Sequence, residues 1–83
     1  MSAKPTRIAD WEEGQCGIDL AGRKWFRLSC TDLLFSDKNG EKVFATSIYS
    51  PFANCREATL DESARVVFVE YFMKKGRNED KRP

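Results

Sequence analysis

Residues 59–76 read TLDESARVVFVEYFMKKG, and the architecture turns on whether they form a capped helix or a turn followed by a strand. On the helix reading Thr59 and Glu62 make a capping box and Asp61 sits favourably in the first turn. Ala64, Val67, Phe68 and Tyr71 then follow helical spacing, and Lys74, Lys75 and Gly76 supply a C-terminus. On the strand reading LDES is a turn, and RVVFVEYFM is dense in β-branched and aromatic residues. Apolar residues occupy nearly every position from 66 to 73, so periodicity does not separate the two. The terminal signals favour helix, the interior favours strand, and the local balance leans to helix.

N-terminal to this stretch, turn signals punctuate apolar runs: EEGQ, LAGR, DKNGE and SPFAN each carry the Gly, Asn or Pro that a turn needs. Asn39-Gly40 predicts a two-residue hairpin turn, since both residues tolerate positive φ. It would join KWFRLSCTDLLF, long enough to bend or bulge, to EKVFATSIYS. In QCGIDL, alternation predicts Cys16, Ile18 and Leu20 inward and Gln15, Gly17 and Asp19 outward. Short strands with a turn every ten residues or so point to a small barrel or an open-faced sheet.

The chain's 83 residues predict one domain at 7–76, a disordered arm at 1–6 and a charged flexible tail at 77–83. A chain this short has a thin stability margin, which its aromatic content of 12% helps to widen. A net charge of +1 lacks the basic surplus of a dedicated nucleic-acid binder. Cys16, Cys30 and Cys55 are odd in number and widely spaced, and the chain has no histidine. That excludes the usual zinc patterns and predicts three buried or half-buried free thiols in a reducing compartment. The N-terminus shows no apolar signal-peptide core, and the longest apolar run, 66–69, is far too short to span a bilayer. The expected location is cytoplasmic, with no membrane partner.

KWF at 24–26, VF at 43–44, TLDESARVVF at 59–68 and Gly76 occur in order, and together they resemble the framework of a cold-shock domain, a five-stranded OB-type barrel. The resemblance covers residues 22–76, about two-thirds of the chain. It implies a strand at RVVFVEYF and a nucleic-acid-contacting face at Lys24, Trp25 and Phe44. The family's glycine- and aromatic-rich second strand corresponds here to CTDLLF, Thr46 and Ser47 stand where it has a histidine and an aromatic, and RNEDKRP offers no closing strand. The expected fold is thus mainly β, a small antiparallel OB-like barrel or sheet with a C-terminal helix on the helix reading. The alternative is α+β, a sheet packed on a helix at 60–75.

Strand alternation in KWFRLSC places Phe26, Leu28 and Cys30 on one face, expected to be core. Trp25, Arg27 and Ser29 take the other, setting an indole beside a guanidinium, as single-stranded nucleic acid requires. Against that, a tryptophan in a small domain is most often core, and Trp11, among acidic neighbours, reads as packing. Tyr49 and Phe52 in YSPFAN are aromatics of the kind protein-recognition loops carry, and equally of the kind that plugs a barrel end. Catalysis is not expected: there is no histidine, no cysteine–base pair, no phosphate loop, and no cofactor or metal motif. The sequence therefore predicts a non-enzymatic binding module, a small regulator or inhibitor of an intracellular protein. Single-stranded DNA or RNA is the alternative partner, and a homodimer fits the short chain. The candidate binding residues are Lys24, Trp25, Arg27, Phe44, Tyr49 and Phe52.

Overall fold

The computed structural model describes residues 4–80. They form a mainly β domain: one six-stranded antiparallel sheet with a C-terminal helix. The strands are β1 (Thr6–Arg7), β2 (Cys16–Asp19), β3 (Lys24–Arg27), β4 (Asp32–Ser36), β5 (Val43–Ser47) and β6 (Glu57–Leu60). A one-turn helix, α1 (Pro51–Asn54), lies between β5 and β6, and α2 (Arg65–Asp80) follows β6. In space the order is β1-β6-β2-β3-β4-β5, so β6 sits between the first two strands of the chain and β5 ends the sheet.

Residues 65–80 are helical, so the strand implied there by the cold-shock resemblance is absent. The cap differs from the expected capping box. Thr59 belongs to β6, and Asp61 instead accepts from the backbone N–H of Ser63 (3.0 Å) at the head of a 3-10 turn, Glu62–Ala64, that leads into α2. The helix continues through residues 77–80, part of the expected tail, while 81–83 lie outside the described residues. Of the expected arm, Thr6 pairs with Ala58 in β1, and 1–3 lie outside the described residues.

The run KWFRLSCTDLLF is two strands, because Arg27 folds the chain back between them. The residue is buried, at 7% exposure, and among the described residues its guanidinium has no carboxylate partner. It donates instead to the carbonyls of Ala9 and Trp11 (both 2.9 Å), Cys30 (2.7 Å) and Ser29. A buried cation needs such compensation, and the carbonyls tie the 28–31 turn to the N-terminal segment. The β4–β5 connection is six residues, 37–42, not a two-residue turn; Gly40 alone takes positive φ (+74°), and Asp37 accepts from the backbone N–H of Glu41 (2.8 Å).

Both faces of the sheet are covered. One carries Trp25, Leu33 and Phe35 and packs with Ile8, Trp11, Ala53 and Ala58 beneath α1 and the 3-10 turn Ile8–Asp10. The other carries Phe26, which stacks on Phe68 of α2 (5.5 Å) and meets Phe72 edge-on (6.2 Å). The expected sets in KWFRLSC hold only in part: Phe26 packs, though against α2, whereas Trp25 and Arg27, expected outward, are buried, and Leu28 and Cys30, expected inward, are exposed in the turn. In β2, Gly17 and Asp19 are buried and Leu20 is 99% exposed, because β2 ends at Asp19. A side chain at Gly17 would strike the carbonyl oxygen of Thr59 and the Trp11 ring (2.9 Å), so only glycine lets β6 and Trp11 close over it.

Candidate functional site

An aromatic series runs across the sheet from core to surface. Trp25 stacks on Phe35 (4.8 Å between ring centroids), and Phe35 stacks on Phe44 of the edge strand (5.3 Å). Phe52, the second residue of α1, leans on both Trp25 (5.8 Å) and Phe35 (5.3 Å). Antiparallel register dictates the row: Trp25 opposes Phe35 and Phe35 opposes Phe44, so all three rings project from one face. Trp25 is wholly inside, while Phe44 is 46% and Phe52 37% exposed.

Asp19 anchors the buried end. Its carboxylate accepts from the Trp25 indole N–H (2.9 Å) and from the backbone N–H groups of Ala21 and Arg23 (2.9 Å each), fixing the β2–β3 turn and the indole together. At the exposed end two guanidiniums flank Phe52: Arg56 lies 4.5 Å and Arg23 5.7 Å from its centroid. Such cation–π contacts hold the guanidinium planes while leaving their N–H groups outward. A hollow of about 350 Å³ lined by Ala21, Arg23, Asp37, Lys38 and Asn39 opens beside Arg23. Another of about 200 Å³, lined by Asp19, Leu20, Cys55, Arg56 and Glu57, opens beside Arg56.

Of the six residues singled out from sequence, Phe44 and Phe52 meet on Phe35 and reach the surface. Trp25 supports them from below. Arg27 is occupied by backbone carbonyls in the core. Lys24 points to the opposite, α2-covered face, with Nζ 3.4 Å from the Lys38 carbonyl. Tyr49 is 71% exposed on the turn after β5 and joins none of the aromatic pairs. The aromatic–cation strand face is thus divided between core and two surfaces. Phe35 and Arg56 were not among the expected site residues. Arg56 lies four positions after Phe52, a spacing that juxtaposes side chains once 51–54 is a helical turn.

Comparison of the chain with protein-family models, curated proteins and solved structures finds no match.

Arg23, Lys38, Lys42 and Arg56 make one end of the sheet the more basic, although Glu41 and Glu57 stand there too, and Glu12, Glu13, Asp32 and Glu62 make the other the more acidic, with Arg65 among them. At the basic end Asp19 is buried and engaged, and the Glu41 backbone N–H holds the Asp37 carboxyl below the usual aspartate range. At the acidic end the Ser63 hydroxyl does the same to Asp61. The thiol of buried Cys16 is pushed up by desolvation, while Cys30 and Cys55 are exposed, contrary to the expected burial of all three. Among the described residues no three His, Cys, Asp or Glu side chains converge as metal ligands, and no helix is long and apolar enough to cross a membrane.

Proposed function

We propose that the chain is a non-enzymatic binding module that docks on a protein partner through Phe44 and Phe52, beside the open edge of β5. The observation that carries this reading is the emergence of a core-anchored aromatic row at an edge strand. Rings held from below lose little side-chain freedom on binding, which is why such anchors dominate interface energetics. An edge strand presents unpaired backbone groups alongside them, which an extended partner segment can satisfy. Both tryptophans are buried, so base stacking on an indole, on which the nucleic-acid alternative relied, has no exposed ring to use.

Replacing Phe44 with a photo-crosslinking phenylalanine analogue, and separately Val66 on α2 beyond the opposite face, tests the assignment. A discrete protein adduct from position 44 and none from position 66 is the expected result. Equal labelling from both, adducts from neither, or adducts to nucleic acid overturns it.

A further inference from the structure

We propose that Arg23 and Arg56, held against the Phe52 ring, form a two-pronged site for carboxylate side chains, so that the partner segment received here is acidic. The inference rests on the docking reading above and names the chemistry of its partner. Two guanidiniums within 4.5 and 5.7 Å of one ring centroid lie no more than about 10 Å apart. Consecutive same-side residues of an extended segment lie about 7 Å apart, so one strand can present a carboxylate to each arginine. Both arginines are half-buried. Among the described residues neither meets a carboxylate within ion-pair distance, and neither side chain donates a hydrogen bond; the ion pair present is Arg65–Glu62, remote from this site. Asp19, which lines the hollow beside Arg56, is saturated by the Trp25 indole and two backbone amides, and Asp37, beside Arg23, is engaged by its own loop. The fork of a guanidinium matches a carboxylate bidentately, and partial burial strengthens that bond.

A phosphate offers similar chemistry, but the surroundings favour carboxylates. Glu41 and Glu57 stand exposed at the same end of the sheet, and the net charge is only +1. A phosphodiester chain charged at every nucleotide meets those acids. A peptide carries charge only at chosen positions, so two carboxylates on one side of an extended segment reach Arg23 and Arg56 while the intervening uncharged side chains turn to the other side.

The test is fluorescence anisotropy of a labelled octapeptide alternating Glu and Val, its Gln–Val counterpart, and an oligothymidylate. Each is titrated with the full chain and with the Arg23→Gln/Arg56→Gln, Arg23→Lys/Arg56→Lys and Phe44→Ser variants, folding being checked by circular dichroism. Expected is binding of the Glu–Val peptide that weakens with salt and falls about tenfold or more in the Gln–Val peptide and in the double Gln variant, as loss of charge-assisted hydrogen bonds predicts. The double Lys variant recovers part of it, lacking the fork. Absence of Glu–Val binding, or equal binding by the double Gln variant, overturns the inference. So does tighter, arginine-dependent binding of oligothymidylate, which assigns the site to phosphate. Binding lost in Phe44→Ser but kept in the double Gln variant removes the arginine site and leaves the docking surface standing. A position-44 photo-adduct that forms undiminished in the double Gln background has the same meaning.

Discussion

Replacing Trp25 with alanine removes the ring on which the aromatic row rests. The side chain is fully buried between Phe35 and Phe52, and its indole N–H occupies Asp19. A buried tryptophan covers about 150–250 Å², about 4–6 kcal/mol at about 25 cal/mol per Å². Measured truncations of this kind cost about 3–5 kcal/mol. A chain of this length holds about 4–12 kcal/mol in total, so the alanine variant sits at or beyond the edge of folding. Trp25→Phe is the more informative change. It keeps a ring on Phe35 but leaves Asp19 without the indole, at a cost of about 1–3 kcal/mol. With a urea dependence of about 1 kcal/mol per M, the midpoint falls by about 1–3 M. Urea unfolding followed by far-ultraviolet circular dichroism reads this without relying on the altered fluorophore. A Trp25→Phe midpoint within about 0.3 M of the parent, where about 1–3 M is worked out, refutes the argument that the indole–carboxylate bond and the stack hold this face.

Thiol labelling under native conditions should modify Cys30 and Cys55 quickly and Cys16 only slowly, since its thiol is buried and its ionisation suppressed; three equal rates by mass spectrometry contradict the placement of Cys16. Gly17→Ala should destabilise by about 1–3 kcal/mol, because the new Cβ meets the Thr59 carbonyl and the Trp11 ring, and a thermal midpoint equal to the parent's removes that contact. The folded-state pKa of Asp37 lies below its unfolded value, so its contribution is present above about pH 4 and is lost as pH falls through the folded value. The melting-temperature gap between the parent and Asp37→Ala should therefore be constant near neutrality and narrow below about pH 4; a gap unchanged in acid shows that the carboxylate charge is not what the Glu41 amide recognises.

The mainly β sheet was legible in the sequence; the choice between helix and strand over 60–75 stayed open there, and the assignment of inside and outside was not legible. Alternation sorts KWFR into Trp25/Arg27 and Lys24/Phe26, but it identifies a core only when one face is solvated. Here α1 and the N-terminal segment cover one face and α2 the other, so Trp25 and Phe26 both pack. Residues 66–73 hid their helical period for a related reason. Phe68 is buried, yet Val66, Val69 and Met73 are exposed and equally apolar, which erases the polar stripe that marks an amphipathic helix. Of the site, Phe44 and Phe52 were visible as aromatics, but their meeting on Phe35 depends on cross-strand register, and Arg56 joins them only once 51–54 turns as a helix. Arg27 misled because a guanidinium satisfied by carbonyls carries no sequence signature distinguishing it from one that faces solvent.

The insertion of β6 between β1 and β2 has a kinetic consequence. The hairpins β2–β3 and β3–β4–β5 close between chain neighbours, but β1 has no partner until residues 57–58 arrive, and β2 keeps an open edge until then. Pairings so distant in sequence are the slow ones to form. During synthesis the first strand made is therefore among the last to dock, and a chain truncated before Glu57 would present β2 as a bare, ready-to-pair edge, the form in which this small protein is most exposed to aggregation.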